Sequence, residues 1–200
     1  MQDGDSCHPF VRALAIWSGA LAGLMILLVG SLTPSSLMVP SLEFPPPIVS
    51  LPSTWQVPSL FLAALVCGPK AAVMASIAYL TVGLFHLPIF HGGGSLNYLS
   101  NPSFGYLISF IPAAWISGRL AEKKNMNNLI SLTFCSIVGV IVLQTFGSLY
   151  LIIGSSFGYW SDPLPKLLFS YSLAPLLTQA TLCPAVAIVA LVLRKVLLIA

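Results

Sequence analysis

Long apolar stretches separated by short polar segments dominate the sequence. A helix that crosses a bilayer needs about 20 largely apolar residues. The second candidate stretch is the least certain to cross the membrane, because it is short and Pro58 interrupts it. The alternative is that it is a re-entrant segment buried by protein. The pattern predicts an all-α integral membrane protein with six transmembrane helices in one membrane domain, residues 1–200. The six predicted spans are 13–32, 55–67, 70–87, 104–120, 129–153 and 167–193.

Turn-forming and polar residues concentrate after the first, third and fifth stretches. Residues 33–54 hold six prolines, too many for the interior of a helix. Residues 155–165 contain Tyr159, Trp160 and Asp162. Because long polar loops often carry binding groups, we expect a ligand site on the face where these three segments lie. The segment 87–103 is the most distinctive, with Gly92, Gly93, Gly94, Asn97, Tyr98 and Asn101.

Composition identifies lipid as the main solvent of this chain. Of the 200 residues, 57% are apolar and 6% are charged, with a mean hydropathy of +0.95, whereas soluble domains average about 25% charged residues. The basic residues form no stripe that would suit a nucleic acid. The four cysteines stand singly, which disfavours a zinc or redox motif and favours apolar packing.

The basic residues predict the orientation in the membrane. Cytoplasmic loops are enriched in lysine and arginine. If both termini are cytoplasmic, seven of the eight basic residues lie at the inner ends or in the inner loops, and Lys166 alone lies outside. We therefore predict a multi-pass protein of the cell membrane with both termini inside. The seven inner residues are Arg12, Lys70, Arg119, Lys123, Lys124, Arg194 and Lys195.

Two short motifs are similar to those of serine hydrolases. His91-Gly92-Gly93-Gly94 matches an oxyanion-hole run, and Gly154-Ser155-Ser156-Phe157-Gly158 matches the G-x-S-x-G elbow. Such an enzyme also needs a histidine base after the nucleophile, and all three histidines precede Ser156. An intramembrane hydrolase is therefore disfavoured. The sequence also has no phosphate-binding G-x-x-x-x-G-K-[ST] run, so any ATP-driven step needs other chains.

Asp162 and Lys166 are the most informative charged residues. A charge inside the membrane costs about 2.5–3.5 kcal/mol on insertion scales, so such residues usually have partners and a function. Their spacing of four would let them pair on one helical face, although Pro163 and Pro165 disfavour a regular helix there. The alternative is a lysine that reaches the outer headgroups beside a counter-ion. We favour ligand binding.

Small residues recur every four positions in the first stretch. Ala15, Gly19 and Gly23 would let another helix approach closely. That helix belongs either to a partner subunit or to this chain's own bundle, and the spacing does not distinguish the two.

A run of motifs between about Trp55 and Leu120 carries a family resemblance. In order, it comprises Pro52-Ser53-Thr54-Trp55-Gln56, Cys67-Gly68-Pro69-Lys70, the set Tyr79, Gly83, Leu87, Pro88 and Phe90, the three glycines 92–94, and Pro102-Ser103-Phe104-Gly105-Tyr106. This run, about a third of the chain, is similar to the BioY family of biotin-specific S components of energy-coupling-factor (ECF) transporters. The family's acid–lysine element before the last span is matched by Asp162 and Lys166, one residue wider.

The resemblance implies a six-helix S component with an outward pocket capped by the loop between the third and fourth spans. It implies biotin as the ligand, with polar side chains for the ureido group, Lys166 for the carboxylate or ureido oxygen, and Phe90, Tyr98 and Trp160 over the apolar parts. It also implies a membrane coupling subunit gripped through Ala15, Gly19 and Gly23, and two cytosolic ATPases; neither a metal nor a cofactor is expected. An S component for another vitamin is the alternative. The candidate biotin-binding residues are Gln56, Gly92, Gly93, Gly94, Asn97, Asn101, Ser103, Tyr106, Asp162 and Lys166.

Overall fold

Helices make up most of the fold. The structure is a computed structural model that describes residues 9–38, 48–86, 89–90, 96–124, 126–160 and 162–197. Four helical stretches in these ranges are long and apolar enough to cross a membrane: Phe10–Leu32, Gln56–Phe85, Leu129–Ser156 and Leu164–Val196. The elements are α1 (Pro9–Leu32), β1 (Pro34–Met38), β2 (Ile48–Thr54), α2 (Gln56–Phe85), a 3-10 turn (Leu96–Ser100), α3 (Phe104–Ile108), α4 (Phe110–Ala121), α5 (Leu129–Ser156), α6 (Leu164–Leu168), a π-helical turn (Phe169–Leu173) and α7 (Ala174–Val196).

Helix α2 is a hairpin that reverses direction at Gly68. This residue has φ 83° and ψ 170°, a conformation essentially restricted to glycine. A Cβ added to Gly23 of α1 would lie 3.2 Å from the Cβ of Ala63 and 3.1 Å from that of Ala75, whereas residues 12 apart in a straight helix are about 18 Å apart. Residues 56–67 and 69–85 therefore run antiparallel as two helical segments, at the positions of the predicted stretches 55–67 and 70–87; their crossing of a membrane stays a prediction.

Pro58 does not interrupt the second stretch, so that part of the prediction is wrong. Helix α2 begins at Gln56, which places Pro58 in its first turn. The amide groups of a first turn have no partner within the helix, so a proline there removes no helical hydrogen bond. The next amide, that of Ser59, already donates to the carbonyl of Trp55 at 2.9 Å.

A short β-ladder connects α1 to α2 and was not predicted. β1 and β2 pair antiparallel, with Pro34 opposite Thr54 and Met38 opposite Ile48. The amide of Trp55 then donates to the carbonyl of Thr33 at 3.0 Å. The described parts of the proline-rich segment, 33–38 and 48–54, contain no helix, as expected, and form these two strands. The all-α prediction therefore needs this small addition.

The predicted span 104–120 corresponds to two helices, α3 and α4, which meet at Ser109, and it is not among the four stretches long enough to cross a membrane. The Ser109 hydroxyl donates to the carbonyl of Gly105 at 2.5 Å, a side-chain bond that often bends helices. Gly105 and Gly147 allow close packing of α3 on α5, since the ring of Tyr150 covers the first and the ring of Tyr106 covers the second.

One end of the bundle is fastened by the buried side chain of Arg194. Its guanidinium donates to the carbonyls of Leu65 (2.7 Å) and Ala121 (3.1 Å) and to the Oδ1 of Asn127 (3.0 Å). Leu65 and Ala121 lie in the last turns of their helical segments, where carbonyls lack helical partners and carry partial negative charge. The arginine thus ties together the ends of α4, α7 and the first half of α2.

Candidate functional site

A cavity of about 550 Å³ lies toward the other end of the bundle, within the range of small-molecule pockets. The last α7 residue of its lining, Gln179, precedes Arg194 by 15 positions, which is about 22 Å along a helix. The described lining contains no acidic or basic side chain, so it suits a ligand whose enclosed part is uncharged. The lining residues are Thr54, Gln56, Val57, Tyr98, Asn101, Ser103, Tyr106, Leu107, Phe110, Leu143, Ser170, Tyr171, Pro175 and Gln179.

Gln56 contributes a carbonyl oxygen to the cavity. Its Nε2 donates to the hydroxyl of Tyr79 at 3.0 Å, and that hydroxyl donates to the carbonyl of Ile89 at 3.2 Å. Both hydrogen bonds are buried, so the Gln56 amide is held in one orientation. Its Oε1 accepts no hydrogen bond from the described residues and is available to a donor on a ligand.

Asn101 and Ser103 form a turn that presents an amide nitrogen. The Asn101 Oδ1 accepts from the Ser103 amide (3.0 Å) and hydroxyl (2.7 Å), so its Nδ2 takes no part in the turn, and the residue lines the cavity. Because the Ser103 hydroxyl donates to Asn101, the Tyr98 hydroxyl must be the donor in its 2.8 Å contact with Ser103. Burial raises the pKa of Tyr98, which keeps this phenol protonated.

Tyr106 has a buried hydroxyl with no hydrogen-bond partner among the described residues. The hydroxyls of Ser148 and Ser172 lie nearby, but they bond to each other at 3.1 Å, and Ser172 also donates to Gln144. An unsatisfied buried polar group costs about 1–3 kcal/mol, so most such groups have a partner. Tyr106 lines the cavity, but its hydroxyl has almost no accessible surface, so a partner from the cavity reaches it only after a small movement of the neighbouring side chains.

The wall formed by the last helical stretch was not predicted from the sequence. Ser170, Tyr171, Pro175 and Gln179 line the cavity from the π-helical turn and α7. A signal was available, because an amide inside a strongly apolar span is costly and therefore often functional. The sequence-based predictions for this region rest on its ionisable residues alone.

The three predicted aromatic residues have different places. Tyr98 lines the cavity, whereas Phe90 packs behind it, with 4.9 Å between the two ring centroids. Trp160 lies outside the lining and supports the 3-10 turn, since its indole N–H donates to the carbonyl of Ser100 at 3.4 Å. Tyr150, whose hydroxyl donates to the carbonyl of Leu99 at 2.9 Å, supports the same turn.

Asp162 and Lys166 pair with each other at the surface. The Lys166 Nζ lies 2.8 Å from the Asp162 Oδ1, and the two side chains are 66% and 52% exposed, in the order lysine and aspartate. Neither is part of the described lining. The predicted pairing at a spacing of four is therefore present despite the two prolines, but the structure does not bring the pair into the cavity.

Four predicted residues fall wholly or partly outside the described structure. Gly92, Gly93 and Gly94 lie outside the described ranges, and the side chain of Asn97 is likewise not described, although its backbone belongs to the 3-10 turn. Their predicted contacts with a ligand stay predictions.

The small residues of α1 lie in two different environments. Gly19 and Gly23 face α2 of the same chain: a Cβ on Gly19 would lie 3.2 Å from the Cβ atoms of Cys67 and Ala71. Ala15 is exposed, as are Ser18 and Ala22. Packing within the bundle, the alternative left open by the spacing, thus accounts for the two glycines.

The elbow-like serine motif forms the end of a helix. Ser156 is the last residue of α5, and its exposed hydroxyl donates to the carbonyl of Ile152 at 2.9 Å. Gly158 follows with φ 70° in the turn after the helix. This hydroxyl bonds within its own helix, as expected for serine at a helix end.

Comparisons with known proteins converge on one family. A family model described as "BioY family" matches residues 13–198. The chain is 30% identical over 105 residues to the probable biotin transporter BioY of Lysinibacillus sphaericus, covering 52% of this chain and 54% of that protein. It is 40% identical over 79 residues to the biotin transporter BioY of Thermotoga maritima, covering 39% and 47%. These alignments span about half the length of either transporter.

Two further similarities extend over more of the chain. An uncharacterised 21.2 kDa protein of Cyanophora paradoxa is 31% identical over 145 residues, which are 72% of this chain and 74% of that protein. The crystal structure of an S-component for biotin from an ECF-type ABC transporter superposes with a TM-score of 0.71 at 20% identity, covering 95% of both chains. The two chains share the fold.

Proposed function

The chain belongs to the BioY family, and from that premise we propose that it is a multi-pass protein of the cell membrane that binds biotin for uptake. In this proposal it is the substrate-specific S component of an ECF-type, ATP-driven transporter. The observation that carries the proposal is the cavity of about 550 Å³, whose described lining is uncharged and holds unpaired amide and phenol groups.

The chemistry of the lining supports a ureido ligand. A ureido group has one carbonyl acceptor and two N–H donors. The Gln56 Oε1 accepts, the Asn101 Nδ2 donates, and the Tyr106 hydroxyl does either. Tyr98 and Phe110 supply aromatic surface for the apolar bicyclic part. We propose Gln56, Asn101, Ser103 and Tyr106 as the binding set, together with the 92–94 glycines and Asn97.

Lys166 is proposed as the partner of the biotin carboxylate at the edge of the site. It precedes Ser170, a lining residue, by four positions, and such residues share one face of a helix. Its present partner is an exposed carboxylate, and exposed ion pairs contribute only about 0–1 kcal/mol. Replacing Asp162 with a ligand carboxylate as the partner of Lys166 therefore costs little free energy.

We propose six membrane crossings with both termini in the cytoplasm, in a single membrane domain. The hairpin at Gly68 supports counting Gln56–Phe85 as two crossings, and α3 with α4 would supply another. The contacts of Arg194 with Leu65 and Ala121, and of Gly118 with Pro69, support a common end for the inner loops. The basic residues of these loops then meet the cytoplasm, as the charge rule requires.

The proposed partners are the membrane coupling subunit and two cytosolic ATPases. The exposed small residues Ala15, Ser18 and Ala22 form the part of α1 on which a partner helix could pack closely. Gly19 lies at the border of this face, and Gly23 is buried against α2. Gly23 is therefore no longer proposed as a contact.

Thermal unfolding of the purified protein tests the substrate. A ligand that binds only the folded state stabilises it by about 2.7 kcal/mol at a concentration of 100 Kd. Biotin should raise the melting temperature, and thiamine and riboflavin should not. If thiamine or riboflavin raises the melting temperature and biotin does not, the chain is still an S component, but its substrate is that vitamin.

A further inference from the structure

Two buried glutamines connect the cavity to the interior of the helical bundle. Gln144 of α5 and Gln179 of α7 are 6% and 8% exposed, in spans that are otherwise strongly apolar. Burying an amide without hydrogen bonds is costly, so partners are needed. The Gln144 Nε2 donates to the Gln179 Oε1 at 2.9 Å, and Ser172 donates to the Gln144 Oε1 at 2.8 Å.

The side chains of Ser172, Gln144 and Gln179 form a hydrogen-bond chain in which each donates to the next. The Ser172 hydroxyl donates to the oxygen of Gln144, which uses its nitrogen as donor to the oxygen of Gln179. The Gln179 nitrogen is then the end of the chain, and it makes no hydrogen bond to a described residue. Gln179 lines the cavity whereas Gln144 does not. Gln179 therefore presents its amide N–H groups to the cavity.

The π-helical turn explains how Ser172 reaches Gln144. Pro175 has no amide hydrogen, so the carbonyl of Tyr171 loses its normal α-helical donor, and the proline ring crowds that carbonyl. The helix widens in response, and the amide of Ala174 bonds to the carbonyl of Phe169, five residues earlier. In this wider turn Ser170 and Tyr171 line the cavity while Ser172 contacts Ser148 and Gln144 on α5.

We infer that Gln179 recognises a hydrogen-bond acceptor on the ligand, and that Gln144 is the positioning residue that turns the Gln179 amide nitrogen toward the cavity. This inference rests on the proposed function, in which the ligand carries a ureido group. The ureido oxygen is the strong acceptor of that group, so Gln179 meets the ureido carbonyl. Gln144 and Ser172 act on specificity without contacting the ligand.

Paired affinities for biotin and its thiourea analogue test the inference. The analogue has sulfur, a poor acceptor, in place of the ureido oxygen, so the parent protein should prefer biotin by about tenfold or more. Gln179→Met should weaken biotin by about tenfold and the analogue by much less, which removes most of the preference. Gln144→Met should reduce the preference in part, because the Gln179 amide is then free to turn.

Two further variants separate positioning from damage to the fold. Ser172→Ala removes only the first donor of the chain and should reduce the preference least. Thr145→Val is the matched control on α5, since its exposed hydroxyl bonds to the carbonyl of Ile141 in its own helix. It should leave both affinities unchanged. All variants are compared by melting temperature in the same detergent.

The outcomes distinguish this inference from the proposed function. If the parent protein binds biotin but Gln144→Met weakens both ligands equally, Gln144 is merely structural and the inference is wrong. An unchanged preference in Gln179→Met also overturns it. If the parent protein binds neither ligand, the proposed function fails, and the ureido assignment fails with it.

Discussion

Two buried tyrosines, Tyr79 and Tyr106, have opposite surroundings in this fold. The Tyr79 hydroxyl accepts from Gln56 and donates to the carbonyl of Ile89, whereas the Tyr106 hydroxyl has no partner among the described residues. A hydroxyl left unsatisfied lowers stability, and it becomes useful once a ligand supplies the partner. In our proposal Tyr79 is a structural tyrosine and Tyr106 is a ligand-binding one.

Tyr106→Phe should weaken biotin binding without destabilising the unliganded protein. A hydrogen bond between neutral groups contributes about 0.5–1.5 kcal/mol, so the affinity should fall by about three- to tenfold. Tyr79→Phe is the matched control, and it should lower the melting temperature without ligand, because it leaves the Gln56 amide unsatisfied. Titration calorimetry and thermal unfolding measure both. A destabilised but fully biotin-competent Tyr106→Phe protein would reverse the assignment.

Lys166→Ala tests whether the exposed ion pair serves the ligand. Hydrogen bonds to charged groups are worth about 1.5–3 kcal/mol, so biotin affinity should drop by about tenfold to a hundredfold. Melting should change little, since the pair with Asp162 is exposed. The preference for biotin over biotin amide should disappear if the lysine meets the carboxylate. Parent-like affinities for both ligands would mean that the pair is a surface feature only.

The polar residues of the cavity differ in how well the sequence predicted them. Gln56, Asn101, Ser103 and Tyr106 belong to the motif run and line the cavity. Gln179 has no motif around it, and its role depends on Gln144 and Ser172, which are 35 and seven residues away in sequence. Such a hydrogen-bond chain depends on how α5 packs against α7, and this packing is not encoded in local spacing.

At the scale of elements, the hairpin of α2 depends on a single residue. Gly68 has φ 83° and is followed by Pro69, so the chain reverses within one turn between two buried helical segments. A side chain in such a conformation costs about 1–3 kcal/mol. A Cβ at Gly68 would also lie 3.1 Å from the Glu122 carboxylate.

Gly68→Ala should therefore lower the melting temperature, and more so than Gly158→Ala. Gly158 also has a positive φ of 70°, but it lies in an exposed turn where an added Cβ meets no atom within 4 Å. That turn can relax, whereas the hairpin is fixed by contacts with α1 and α4. Equal melting temperatures for the parent and Gly68→Ala proteins would contradict the strained hairpin.

The elements that the sequence predicted least well are those set by backbone geometry. Apolar length predicted the four long helical stretches of the described residues, because burial in lipid requires apolar length. The β1–β2 ladder and the π-helical turn have no such signal. The π-helical turn follows from Pro175, and the effect of a proline depends on its neighbours: Pro58 is harmless in a first turn, while Pro175 widens a helix.

At the scale of the whole molecule, the two ends of the bundle have different chemistry. At one end, the positively charged Arg194 side chain donates hydrogen bonds to backbone carbonyls, and the short basic loops lie nearby. The other end holds the cavity and the described parts of the long polar segments. This asymmetry matches a protein that captures a ligand on one side and meets its partners on the other.

Reporter fusions check the orientation that follows from this asymmetry. A reporter active only in the cytoplasm should work when fused after Lys124 and at the C-terminus, and it should fail when fused after Trp160. Seven of the eight basic residues then lie inside. A C-terminus outside the cell would contradict the six-crossing arrangement. A cytoplasmic position for Trp160 would place the cavity on the cytoplasmic side, contrary to the proposal.

The most direct test of the account is equilibrium binding of labelled biotin to the purified chain, with no nucleotide and no partner subunit. The chain has a cavity with unpaired polar groups but no phosphate-binding loop, so capture should need no ATP. We predict saturable binding at one site, competed by unlabelled biotin and not by thiamine or riboflavin. Absence of saturable biotin binding by a folded, monodisperse protein would contradict the account.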